Sequence, residues 1–412
     1  MKHAGIKIVI ILNYIIFAML LNSVGILIQK SMNVYGVSAV TASTLELFKD
    51  MSIAVASFLL GSFLPRLGYK RGFLLSLMLV MFGSLAMYYG NGFGYVQLLF
   101  ACTGISFAVI KVSVYALIGQ ISPDKKSLNS FLSMVESVFM LGIALAYILF
   151  PLFYNEQNPD AWLQIYLLIT VLVLFSLLVV YFTDFRLEAP KVVSSPLKDF
   201  TDMLGLMKRP AVLIFALSAF LYVMTEQGIM SWLPTFNEKV LHLPEKISVN
   251  IALILALSIA GGRLLSGILV NYVKWLFIVF AGLLGAALII VLVLPQTETL
   301  SIAPIESLRD VPWIGFVFPM VGLFLAPIYP LMNSVVLGVT DRSLHSAMAG
   351  LLTFFSALGG TIGSRIVGYL FESIGGSQAF YFALIPLALL VASLFLLYRQ
   401  TNLPQAPKNI EL

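Results

Sequence analysis

Long apolar runs recur along this chain with only short polar breaks between them, and they leave few folds open. Twelve such runs, near residues 8–29, 40–64, 72–90, 95–119, 129–153, 162–183, 210–236, 247–270, 274–294, 311–339, 345–371 and 378–398, are each long enough to cross a bilayer as a helix. Hydrocarbon offers no water to backbone N–H and C=O groups, so a spanning segment must be a helix or part of a closed barrel. Barrel strands would be half as long and would alternate in polarity, which these runs do not. Composition agrees, with 60% of the 412 residues hydrophobic and 10% charged, against roughly 25% charged in a soluble domain. The expected fold class is an all-α membrane protein of twelve transmembrane helices.

A polar loop separates six runs from six. It predicts an N-terminal six-helix bundle over 1–183, a cytoplasmic linker over 184–209 containing Pro190 and Pro196, and a C-terminal six-helix bundle with a short cytoplasmic tail over 210–412. A short surface helix is expected near 197–207 in the linker, whose simplest role is tethering. The first run follows Lys2 and Lys7 as a signal peptide would, but its length and lack of a small-residue cleavage site predict a retained helix.

Charge sets the orientation. Most of the 24 lysines and arginines, among them Lys70, Arg71, Lys125, Lys126, Arg186, Lys208 and Arg342, fall on the side of the termini. The opposite loops hold only Lys30, Lys239, Lys246 and Arg309, beside Glu156, Asp160, Glu298 and Glu306. The positive-inside rule then puts both termini in the cytoplasm, with a bacterial inner membrane as the expected location; the net charge of +5, a nucleic-acid hint in a soluble protein, matters here through its distribution, and no nucleic-acid partner is expected. The single cysteine, Cys102, excludes an intrachain disulfide and argues against redox or cysteine-rich metal chemistry, so no cofactor or metal is expected.

Eight ionisable residues nevertheless fall inside the runs: Glu46, Asp50, Glu136 and Glu226, and Lys49, Lys111, Arg263 and Arg365. An unpaired charge at the bilayer centre costs about 2.5–3.5 kcal/mol on insertion scales, so these side chains should face a cavity or one another. Glu46, Lys49 and Asp50 share one helix face by their spacing, and can be read as a self-neutralising cluster. Lys111 could bind an anionic group, replace a coupling cation, pair with Glu226, or extend its stem toward the interface.

The turn after the second run reads Gly61-Ser-Phe-Leu-Pro65-Arg66-Leu-Gly68-Tyr69-Lys70-Arg71, and the turn after the eighth reads Gly267-Ile-Leu-Val-Asn271-Tyr-Val-Lys274. A small residue, a short turn and a basic residue recur at the same place in each half. Both turns resemble the signature loop of the major facilitator superfamily, G-x-x-x-D-R-x-G-R-R, with Pro65 and Asn271 where that loop has its acid. Within the superfamily, the chain resembles the fucose permease-like sugar:proton symporters through Glu226-Gln227-Gly228, Ser231-Trp232-Leu-Pro234, Gly262-Arg263, Pro327-Ile-Tyr329-Pro330-Leu-Met-Asn333-Ser334 and Gly359-Gly360-Thr-Ile-Gly363. It departs from them where they carry acids in the first and fourth helices, since Asn22, Ser23, Gly25 and Lys111 stand in the comparable stretches. The Gly-Pro pattern of drug:proton antiporters is not met by Gly142 to Pro151.

The resemblance implies two pseudo-symmetric six-helix bundles forming a monomeric secondary transporter in the bilayer. It would move a sugar or related small polar solute by alternating access, coupled to protons. Proton-driven export of a metabolite, siderophore or drug is the alternative.

In that superfamily the first, fourth, seventh and tenth helices line the central cavity. The resemblance therefore nominates Asn22, Lys111, Tyr115, Glu226, Gln227, Trp232, Tyr329 and Asn333 for substrate binding, with Ser23, Gln29, Ser106, Ser113 and Tyr222 beside them. Trp232 would offer a stacking face. Glu226 is the first choice for proton coupling, with Asp50, Glu46 and Glu136 as rivals. The same geometry sets the fifth helix against the eighth and the second against the eleventh. It nominates Glu136 with Arg263, and Asp50 or Glu46 with Arg365, as gating ion pairs; Arg263 could instead anchor its own loop.

A membrane enzyme would need a catalytic constellation, and the chain offers none: His3, His242 and His345 do not cluster, and neither G-x-S-x-G nor a phosphate loop occurs. A purely structural or receptor-like role would show itself as a failure to exchange any solute.

Overall fold

Where backbone bonding must be satisfied within the segment, continuous apolar sequence forms helix, and the computed structural model bears this out over the residues it describes, 3–61, 64–185, 201, 205–299, 305–339 and 345–402. Among the described residues there is no strand. The main helices are α1 (Ala4–Asn22), α2 (Val24–Tyr35), α3 (Thr44–Gly61), α4 (Tyr69–Gly90), α5 (Phe93–Ile121), α6 (Lys125–Leu149), α7 (Ile165–Phe182), α8 (Pro210–Met230), α9 (Leu233–Lys239), α10 (Glu245–Leu269), α11 (Trp275–Val293), α12 (Ile328–Val339), α13 (His345–Ser373) and α14 (Leu384–Asn402). Short helical turns precede α3, α7, α12 and α14. The expected linker and its short helix near 197–207 lie mostly outside the described residues.

Among the described residues, eleven segments are long and apolar enough to cross a membrane, one fewer than expected. The missing one is α3. It is 18 residues long, but Glu46, Lys49 and Asp50 give it more charge than an apolar span tolerates. A second correction concerns Lys30. The first run continues helically to Tyr35, so Lys30 lies within α2, buried at 6% exposure, and not in a loop. The outward belt is apolar: Phe82, Phe175, Phe277, Leu284 and Leu292 are all exposed, a surface that suits lipid and not water.

Helices before residue 185 pack mainly on one another, as do those after residue 205. Between the two sets, α3 lies along α13, α6 along α10 and α2 against α9. The bundle has two recognisable ends. Lys70 Nζ donates to the carbonyls of Tyr181 and Thr183, and Trp275 meets the Tyr398 ring, which marks the end nearer the termini. Tyr35 donates to Asn91 and Asn91 to Asp160, which marks the distal end.

Two helices break where the halves meet. The first run bends at Ser23, between α1 and α2, and the seventh at Ser231–Trp232, between α8 and α9, where Pro234 enters the first turn of α9 and contributes no N–H. A Cβ on Gly25 would lie 2.9 Å from the Ser231 carbonyl oxygen, so these breaks sit against each other. On α13, any side chain at Gly359 or Gly363 would run into the carbonyls of Phe220 and Met224, so small residues there let α13 lie directly on the α8 backbone. Pro327 falls just before α12, where the tenth run is broken into short turns.

Candidate functional site

Between the two sets of helices lies a cavity of about 240 Å³, lined by Tyr14 and Asn22 of α1, Phe107 and Lys111 of α5, Glu136, Phe139, Met140 and Ile143 of α6, Glu226, Gln227 and Met230 of α8, and Ala256, Ile259 and Arg263 of α10. Helical geometry explains the grouping: Phe107 and Lys111, Glu136 and Met140, and Ile259 and Arg263 are each one turn apart and share a face. The walls are largely apolar and aromatic, with a few charged groups placed among them, as is usual for small-molecule sites.

The two cavity carboxylates are already engaged. Tyr222 donates to Glu226 at 2.7 Å, and Tyr115 donates to Glu136 at 2.9 Å. The Tyr222 ring stacks on Tyr329 at 5.5 Å, and the Tyr329 hydroxyl lies 3.4 Å from Ser356, so helices α8, α12 and α13 join in orienting Glu226. The two cations are less well served. Among the described residues Arg263 donates only to the Met140 sulfur, at 3.8 Å, and Lys111 lies 5.9 Å from the Phe107 ring centroid.

A second group of charges is buried beside the cavity, at the α3, α8 and α13 interface. Lys49 contacts Glu46 at 2.6 Å and Asp50 at 3.4 Å, and Glu46 is fully buried. Ser231, at the break after α8, donates across the halves to Glu46 and lies 3.4 Å from Gln227 Oε1. A Cβ on Gly360 would lie 2.7 Å from the Asp50 carboxylate and 3.3 Å from the Gln227 side chain, so the triad and the cavity share a wall.

Farther out, polar contacts join the two sets of helices at the distal end. Lys30 pairs with Glu245 at 2.8 Å, beneath the Tyr154 ring. Gln29 and Asn33 both donate to Glu238, and Lys239 donates to Asn33. On the α13 side, Arg365 donates to the Val40 carbonyl and Ser43, and the Val40 amide donates to Glu372.

The structure gathers part of the nominated set into the cavity: Asn22, Lys111, Glu136, Glu226, Gln227 and Arg263 line it. Tyr115 and Tyr329 act through the carboxylates they hold or flank. Others go elsewhere. Trp232 is fully buried, stacked on Phe371 at 5.4 Å with its Nε1 donating to Ser364, so its ring has no face to offer a solute. Gln29 belongs to the distal contacts, and Ser23, Ser106 and Ser113 donate to backbone carbonyls. Asn333 on α12 lies outside the cavity lining. Neither nominated gating pair is formed: Asp50 is with Lys49 and Arg365 with Val40, while Glu136 is with Tyr115 and Arg263 with Met140. Sequence reading missed Phe107, Phe139 and Met140, whose only signal was their one-turn spacing to Lys111 or Glu136, Tyr14, two turns before Asn22, and the acids Glu238 and Glu245. Among the described residues no cluster of three or more His, Cys, Asp or Glu side chains forms a metal site.

The Major Facilitator Superfamily sequence model matches residues 8–322. No curated protein matches the sequence. The structure is similar to that of a bacterial homolog of the human lysosomal transporter Spinster in an inward-facing, unoccupied conformation, with a TM-score of 0.74, 15% identity and coverage of 98% of this chain and 100% of that one. It is also similar to a D-xylose-proton symporter (TM-score 0.69, 14% identity, 97% and 98% covered) and to the E. coli fucose:proton symporter (TM-score 0.64, 15% identity, 98% and 100% covered). The family match covers most of the chain and agrees with the all-helical fold and its apolar spans: the chain is an integral membrane protein that belongs to the Major Facilitator Superfamily of transporters.

Proposed function

We propose that this chain is a secondary active transporter that carries a small polar solute across a bacterial inner membrane by alternating access, coupled to protons. In this reading both termini are cytoplasmic, α3 is the twelfth crossing, and bundles 1–183 and 210–412 are pseudo-symmetric halves that rock about the cavity. The state described is then inward-facing.

One observation carries the reading. Apart from Arg263 with Met140, every hydrogen bond between the halves among the described residues lies at the Glu46–Ser231 level or beyond it toward the distal end. One end is therefore fastened, while the charged cavity lies on the other side of the fastening. Fold likeness to two proton-coupled sugar symporters suits the reading, as does a carboxylate, Glu226, beside the solute space. Asp50, Glu46 and Glu136 are its rivals as proton carrier.

The test is proton movement in proteoliposomes carrying a trapped pH dye, on addition of fucose, xylose, nucleosides, organic acids and amino acids in turn. Symport predicts acidification of the lumen with one solute and its loss in Glu226→Gln. Antiport would reverse the sign. No solute-dependent proton flux and no counterflow with any of them contradicts the reading.

A further inference from the structure

The cavity's open hydrogen-bonding groups are lopsided, and the imbalance says what kind of solute would complete it. A guanidinium has five N–H donors and no acceptor, and a thioether is a weak acceptor. Arg263 Nε is buried without a partner, and its Nη1 has only the Met140 sulfur. The Lys111 ammonium has the Phe107 ring near it and no carboxylate. Among the described residues, no acid lies within the 4.0 Å ion-pair distance of either cation. The acids that line the same space already accept hydrogen bonds from Tyr222 and Tyr115. Donors stand open where acceptors are engaged.

Resting on the transporter reading above, we propose that the solute carries an anionic group, a carboxylate or phosphate, held between Arg263 and Lys111. The fork of a guanidinium matches the two oxygens of such a group, and a charge-assisted bond is roughly twice as strong as a neutral one. A neutral sugar could bond to these donors but would bring neither cation an ionic partner at hydrogen-bond distance. Lys111 stands on α5 and Arg263 on α10, in opposite halves. An anion between them therefore screens two like charges that would otherwise oppose the approach of the halves around the cavity. Gln227 and Asn22, which also line the cavity, are left for the neutral part of the solute.

Purified full-length protein is titrated at constant ionic strength and pH with gluconate, citrate, inorganic phosphate, glucose and choline, and thermal stabilisation is read. The proposal expects stabilisation by at least one of the three anions, with carboxylate and phosphate told apart by which probe acts. Arg263→Gln should weaken the apparent affinity at least tenfold, and Lys111→Gln should weaken it in the same direction. Arg263→Lys, which keeps charge but loses the fork, should fall between. If Arg263→Gln does not purify as a folded protein, Lys111→Gln and Arg263→Lys carry the test. Stabilisation by glucose or choline alone, no stabilisation by any anion, or anion affinity unchanged in all three variants overturns the proposal. Glucose binding lost in Glu226→Gln would sink the anion while leaving the transporter standing; failure of the transporter reading shows separately, as absent counterflow of a solute that binds.

Discussion

At the distal end Lys30 lies 2.8 Å from Glu245, and Glu238 gathers Gln29, Asn33 and Lys239, whereas in the cavity Lys111 and Arg263 form no ion pair among the described residues. The same chemistry serves two purposes. Charges paired across an interface resist its opening to the extent that their mutual attraction outweighs the solvation each regains on parting. Charges left unpaired on a cavity wall need water or a solute. Between the two regions sits the Glu46–Lys49–Asp50 triad, more buried than either and tied across the halves by Ser231.

The strongest way to break this arrangement is to remove the one cation in the triad. Lys49→Met leaves Glu46 and Asp50 buried together, and breaking a buried ion pair costs about 3–5 kcal/mol. Thermal unfolding of the purified protein should show a large fall in Tm, partly restored when Asp50→Asn is added. A Tm equal to that of the original chain would mean the triad is hydrated and holds nothing.

A smaller effect is expected where the helix breaks touch. Gly25→Leu inserts a side chain against the Ser231 carbonyl, and overpacking typically costs about 1–3 kcal/mol. That cost falls on the closed distal end only, so the halves should part there. Hydrogen exchange across residues 230–240 should quicken, while exchange in α4 and α7, remote from the break, stays as it was.

The distal pair itself should matter least. Glu245 is only partly buried, and solvent screening leaves such a pair about 1 kcal/mol or less. Glu245→Gln should loosen distal closure slightly at low salt, seen in the same exchange experiment. The difference from the original chain should shrink as salt rises and screens the pair.

Sequence alone revealed the positions of the helices because apolar length survives any choice of neighbour: all twelve expected runs are helical where described, including α3, whose charges remove it from the apolar spans. Lys30 was misplaced because its ammonium is satisfied by Glu245, some two hundred positions away, and nothing local announces that. Trp232 was misread for a related reason. An indole beside a helix break can face a cavity or a core, and the Ser364 acceptor on α13 decides for the core. Glu226, Lys111 and Arg263 were legible as charges within apolar helices that need a cavity, yet their partners were not. Pairing depends on which rotamers and helix faces meet in one conformational state, and the expected pairs Glu136 with Arg263 and Asp50 with Arg365 both gave way to nearer partners.

The central claim, that one end is fastened while the other gives access to a charged cavity, is tested most directly by two distances measured together. Cys102 is the single native cysteine and is buried, so it is replaced by alanine and spin labels are placed in pairs at exposed positions, Asn158 with Ser307 at the distal end and Gln120 with Asn271 at the other. Electron–electron resonance in lipid nanodiscs should give a short, narrow distal distance and a long distance at the other end. In Gly25→Leu the two should change in opposite senses, the distal one lengthening as the other shortens. Distances that move together, or a distal pair already long in the unaltered sequence, would contradict the account.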